Sequence, residues 1–183
     1  MKTGNDKEVQ DYVMSFPTAV GFMKKLNDMM EYLELSQDDE KAIELDIQPG
    51  VGLAAPQLGI LKKMFVVLTA DEKGNLHKYA LVNPQLVSHS VAKSYLSGGE
   101  GCLSVDREVK GLIHRPKKIR VQGYVYDFEK NEAVLKTIVL KGYLAVVFGH
   151  EFDHLNGILF VDRVNKENPF FVPENSKPIK FKD

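Results

Sequence analysis

The apolar positions of this chain change period as they run from one end to the other. Over residues 22–35, FMKKLNDMMEYLEL, the residues Phe22, Met23, Leu26, Met29, Met30 and Leu33 recur at helical spacing with Lys and Asp opposite. That pattern predicts an amphipathic helix with one buried stripe. Ser36 to Asp39 and then Gln48-Pro49-Gly50 punctuate the chain. After residue 60 the period becomes that of strands. MFVVLT (64–69) and YALVN (79–83) flank a polar turn at Asp71 to Asn75. KKIRVQGYVYD (117–127) alternates, with Ile119, Val121, Gly123 and Val125 on one face, and AVLKTIVL (133–140) follows a Glu-Lys-Asn turn as its hairpin partner. From Tyr143 helical spacing returns through Leu144, Val147, Phe148, Phe152 and Leu155, and Asn156-Gly157 predicts the stop. Residues 165–183 carry three prolines and read as extended. The prediction is α+β: mostly antiparallel sheets packed around a helix in the C-terminal half, plus an N-terminal helix, in a single domain over 1–183.

Bulk composition narrows the classes of function. Hydrophobic residues at 44% and charged residues at 27% are an ordinary globular balance. A net charge of −1 with no basic block gives no field for DNA. The polar MKTGNDKEVQ start lacks the apolar core of a signal peptide, and MFVVL is too short to span a bilayer. Cys102 is the sole cysteine, so no disulfide can form within the chain, which fits a reducing cytosol.

Candidate chemistry starts with FGHEFDHLNG, residues 148–157. Positions i and i+4 share a helix face, so His150 and His154 can aim at one ion while Glu151 reaches a water beside it. Histidines landing by accident on a charged helix end are the bland alternative. A third ligand is needed, and the downstream search fails. Phe160 stands where the long zinc-protease pattern has histidine, and Glu174 lies in proline-rich FVPENSKP. Upstream, Cys102 sits in SGGEGCLSV, where three glycines in four residues allow close backbone approach, although a lone cysteine is more often an inert core residue. One Cys and two His leave a coordination position open for water. GVGLAAPQLG (50–59) partly fits a dinucleotide fingerprint through Gly50, Gly52, Ala55 and Asp71, but the flanking prolines and the missing strand exclude that reading. His77, His89 and His114 read as non-ligands.

GVGLAAPQ, EGCLS and HEFDHL, in this order, resemble the three signature motifs of the peptide deformylases. These enzymes remove the formyl group from the N-terminal methionine of new bacterial polypeptides, releasing formate. The resemblance runs from about residue 22 to 172, and the helix, the strand region and the long loop before Gly50 are similar to the type 2 branch of low-GC Gram-positive bacteria. It implies Cys102, His150 and His154 as metal ligands and Glu151 as general base and acid. Gln57 and the backbone N–H of Leu103 are implied as oxyanion donors. Glu100 and Arg115 match the family's ion pair behind the Cys102 strand, two surface charges being the plainer reading. Gly50, Val51, Gly52, Leu103, Val146 and Val147 are implied as substrate contacts, though the apolar ones are also ordinary core candidates. The implied cofactor is one divalent ion: Fe2+ as native metal, with Ni2+, Co2+ or Zn2+ as substitutes. The implied partners are N-formyl-methionyl peptides, as nascent chains at the ribosome. A cytoplasmic monomer is expected, with no DNA or membrane partner.

Two departures stand out. Gly149 replaces the family's glutamine, which implies a lost supporting hydrogen bond, a change typically costing about 10- to 100-fold in metal affinity or activity. Glycine there also weakens the helix by about 1 kcal/mol relative to alanine. The alternative is therefore a deformylase-like metal-binding protein with little or no turnover. The N-terminal segment with a Leu-Arg pair that precedes the first helix in the family is also unrecognisable.

Overall fold

The computed structural model describes residues 17–182, with side-chain burial from residue 21 onward. The sequence features noted in the first ten residues lie outside that range. Helix α1 (Pro17–Ser36) contains the predicted 22–35 stripe and begins earlier, at a proline whose fixed φ suits a first turn. A short α2 (Asp39–Glu44) follows, with the Asp38 carboxylate accepting from the Lys41 N–H as its N-cap. Six residues with a side-chain cap carry too little periodicity to be read from sequence.

Five strands form the main sheet in the order β1-β2-β3-β6-β7: β1 (Gly52–Ala54), β2 (Met64–Ala70), β3 (Leu76–His89), β6 (Lys118–Asp127) and β7 (Glu132–Lys141). All neighbours in it are antiparallel. A second sheet, β5-β4-β8, joins β4 (Lys93–Tyr95), β5 (Arg115–Pro116) and β8 (Ser176–Pro178). Its β4–β8 pair is parallel. β3 outruns the predicted 79–83 because register shifts at Val82/Gln85 and Leu86/Ser88 carry the strand past Pro84.

Both faces of β2 are covered. Met64, Val66 and Leu68 of β2 pack with Leu26, Met29, Met30 and Leu33 of α1. The alternate residues Phe65 and Val67 pack with Leu144, Ala145, Val147 and Phe148 of α3 (Gly142–His154). Two-sided burial is why β2 reads as an unbroken apolar run instead of an alternation. The predicted alternation of β6 holds through Val125, which packs on the α3 cluster with Ile119 and Val121, and from Tyr124 the opposite face is buried as well, with Tyr126 in the α1 cluster. Among the described residues no helix is long and apolar enough to cross a membrane.

Candidate active site

Helix α3 presents His150, Glu151 and His154 towards the loop after β4 that carries Cys102. The ligand atoms of Cys102, His150 and His154 lie within 4.8 Å of one another, and this is the one such cluster among the described residues. Cys102 Sγ is 3.2 Å from His154 Nε2. Burial pushes the Cys102 thiol up, but hydrogen bonds from His150 and His154 outweigh it and hold it at about 5. For the His150 ring, burial pulls down while hydrogen bonds to Cys102 and Glu100 raise it to about 10. The sulfur is therefore a ready-made thiolate, the form that binds metal.

Outside the cluster the charges are ordered. His150 Nδ1 lies 2.8 Å from Glu100 Oε2, which turns Nε2 away from that carboxylate. Arg115 grips both oxygens of Glu100, Nε to Oε1 at 2.6 Å and Nη2 to Oε2 at 2.8 Å. Its Nη1 reaches Asp153 Oδ2 at 2.8 Å, and Arg163 closes on the same aspartate. Glu100 and Arg115 are thus a buried pair and not two surface charges.

Glu151 is 4% exposed, and its Oε2 has no hydrogen-bond partner. Burial pushes its carboxyl up to about 7, against the pull of His150 and His154. A β-carbon on Gly52 would come within 2.3 Å of Glu151 Oε1, so the second glycine of GVG leaves room for this carboxylate. Three converging soft and borderline donors, a preformed thiolate and a carboxylate oxygen without a partner fit a divalent cation with water beside it.

A family model, polypeptide deformylase, matches residues 6–170. The chain belongs to the polypeptide deformylase family. Peptide deformylase 2 of Bacillus cereus is 48% identical over 91% of this chain and 88% of its own. A probable peptide deformylase from Synechococcus phage S-SSM7 superposes with a TM-score of 0.57 at 36% identity, covering 78% of this chain and 84% of that one. A class I type b peptide deformylase from Acinetobacter baumannii, solved with Met-Ala-Ser bound, gives a TM-score of 0.58 at 30% identity over 78% of this chain and 81% of that one. This deformylase family is metal-dependent, in keeping with the cluster.

The remaining predicted positions surround a cavity of about 440 Å³ lined by Gly50, Val51, Gly52, Gln57, Leu103, Val146 and Val147 together with Cys102, His150 and Glu151. Gln57 Oε1 accepts from the Ala54 N–H at 2.8 Å, so its amide nitrogen faces Ser104 Oγ at 3.0 Å and Cys102 Sγ at 3.9 Å. Gly149 lies beneath Arg115: a β-carbon there would be 3.3 Å from Arg115 Cδ and Nη1. Phe160, where a protease would carry a histidine, stacks on the His150 ring at 6.1 Å. His77, His89 and His114 are engaged elsewhere, with Asp71, the Ser90 carbonyl, and Ser176 plus the Phe171 carbonyl. Glu174 is exposed in the closing segment.

Some site residues escaped the sequence reading. Leu96 and Tyr143 line the cavity. Gln37 donates to the carbonyls of Gly50 and Leu68, both at 2.8 Å, and so tethers the cavity rim to the end of α1. Asp153 extends the charge chain from within HEFDH itself. Tyr143 had a visible signal, since it stands two helical turns before His150 and so shares its face.

Proposed function

We propose that this chain removes the N-formyl group from formyl-methionyl peptides at a centre held by Cys102, His150 and His154. The observation that carries the reading is the convergence of those three donors beside the buried, partner-free carboxylate of Glu151. A divalent cation there supplies Lewis acidity, enough to lower the pKa of water from about 15.7 to about 7. Glu151, whose proton exchanges near neutrality, takes the proton of the attacking water and returns it to the leaving amine. As charge gathers on the formyl oxygen, the Gln57 amide and the Leu103 N–H stabilise it, each donor contributing about 3 kcal/mol at the transition state. The methionine side chain enters the cavity walled by Val51, Leu103, Val146 and Val147, and the peptide runs along Gly50 to Gly52. Formate and a free N-terminus leave.

The Acinetobacter baumannii relative with Met-Ala-Ser bound supports a methionyl peptide as the ligand class. Ferrous iron is the proposed native metal, with Ni2+, Co2+ or Zn2+ as substitutes. The proposed working form is a cytoplasmic monomer of one domain, meeting its nascent-chain substrates at the ribosome. Nothing in the relatives favours the alternative of a metal-binding protein that has lost turnover through Gly149.

The test is formyl-Met-Ala hydrolysis by iron- and nickel-loaded protein, with Glu151→Ala alongside. Turnover in the parent that disappears in the variant, with metal retained, supports the proposal; a silent parent refutes it. Peroxide is expected to inactivate the iron form faster than the nickel form, and equal resistance would count against iron.

A further inference from the structure

Tyr143 packs on the α3 cluster and hydrogen-bonds Thr69 through its side chain. The residue also lines the catalytic cavity. Against its ring lies Phe181, with ring centroids 5.0 Å apart and planes at 75°, the edge-to-face arrangement that aromatic pairs favour. Phe181 belongs to the closing segment, which β8 attaches to β4. Backbone bonds hold it on both sides: Ile179 N–H to the Tyr95 carbonyl at 2.9 Å, and Lys182 N–H to the Glu72 carbonyl at 3.1 Å. The same Glu72 accepts from the Tyr143 N–H through its carboxylate at 3.3 Å, at the N-terminus of α3. There the carboxylate also complements the helix dipole. The β2–β3 turn, the start of the catalytic helix and the closing segment therefore meet at Glu72, and the ring pair forms beside that junction. Phe181 is 51% exposed, so it contributes little to the core.

We propose that Phe181 is a positioning residue for substrate selection: it fixes the Tyr143 ring as the outer wall of the cavity that receives the methionine side chain. The inference rests on the deformylase reading of that cavity. Without the Phe181 edge, the Tyr143 ring keeps its hydrogen bond to Thr69 but loses the aromatic contact that sets its plane, so it can tilt outward about that anchor. The wall against the far end of a long side chain is then lost, while Glu151, Gln57 and the ligand cluster are untouched. The consequence is weaker binding of long first residues with chemistry intact.

The experiment compares formyl-Met-Ala with formyl-Ala-Ala on metal-loaded, full-length parent, Phe181→Ala and Phe181→Tyr. For Phe181→Ala we expect KM for formyl-Met-Ala to rise about fivefold with kcat within about twofold, the signature of lost uniform binding. KM for formyl-Ala-Ala, whose methyl stops short of the wall, is expected to stay put, and Phe181→Tyr to restore the parent values. Metal content and melting temperature should match the parent. If the alanine variant does not fold, Phe181→Leu, which keeps bulk and loses the ring, carries the same comparison. An active parent whose Phe181→Ala variant shows unchanged KM, or an equal rise for both peptides, overturns the inference and leaves the deformylase reading standing. A parent inactive on both peptides overturns the reading and the inference with it.

Discussion

Replacing Gly52 by alanine tests the proposed proton carrier, Glu151, without substituting it. The added β-carbon would lie 2.3 Å from Glu151 Oε1, 2.6 Å from Cδ and 2.8 Å from Cγ. Contact becomes ordinary only at about 3.4 Å, so the carboxylate or the strand must retreat by roughly 1 Å. The strand is fixed by its pairing of Gly52 with Val67, and Glu151 is buried, so neither retreats freely. A displacement of about 1 Å at a reacting group can cost on the order of 100-fold in rate. We expect kcat on formyl-Met-Ala to fall about 100-fold. The overpacking itself costs about 1–3 kcal/mol, which lowers the melting temperature by about 5 °C. Metal stoichiometry should hold, because no donor of the cluster is among the atoms that the β-carbon meets. Steady-state kinetics, metal analysis and a thermal melt on one preparation read all three quantities. A variant with near-parental kcat would refute the idea that the Glu151 position limits turnover. A loss confined to KM would assign Gly52 to peptide contact alone.

Arg115→Met leaves Glu100 buried without its main partner; it is expected to cost about 3 kcal/mol and about 10 °C in melting temperature, and to weaken metal binding about 10- to 100-fold in a chelator competition. Gly149→Gln is expected to lower metal affinity by up to about tenfold, because the arginine it crowds is anchored at both ends and cannot give way; a gain in turnover would mark Gly149 as a lesion instead. Asp71 is held well below the usual carboxylate range by hydrogen bonds from the Asn75 side chain and from the backbone N–H groups of Asn75 and Lys73. Its contribution to stability is complete above the unfolded carboxylate pKa and drains as pH falls towards the folded value. The melting temperatures of parent and Asp71→Asn should therefore differ at pH 7 and converge as pH drops from 5 to 2.

The long elements were legible because burial imposes a period on them: the α1 stripe, the apolar run of β2 and the β6–β7 hairpin all follow from it. Strands β1, β4, β5 and β8 are two or three residues long, shorter than any period, and they exist because neighbouring chain happens to lie alongside. At the site, the spacing of His150 and His154 revealed their shared face, whereas Cys102, far away in sequence, was joined to them only by its glycine-rich setting and by motif order. Asp153 stands inside HEFDH with no spacing signal of its own, because its partners Arg115 and Arg163 come from outside the helix. Phe181 could not have been found at all from its polar surroundings. Its significance lies entirely in which ring it meets.

The chain of charges behind His150 explains how one helix can hold both a proposed ligand and that ligand's orientation. Glu100 accepts from His150 Nδ1, so that side of the ring is committed and Nε2 is the nitrogen left to face the cation, which takes the place of its proton. Glu100 can do this only while it stays ionised, and Arg115, bound to both of its oxygens, lowers its pKa against the upward push of burial. Arg115 in turn is aimed by Asp153, one position before His154, with Arg163 balancing that second carboxylate. To span from Glu100 to Asp153 the guanidinium has to cross the helix at residue 149, and there it meets no side chain. Position 149, where the motif resemblance implies a glutamine, is thus the crossing point of the arginine that orients His150. A side chain at Gly149 therefore has to share that space with the Arg115 guanidinium.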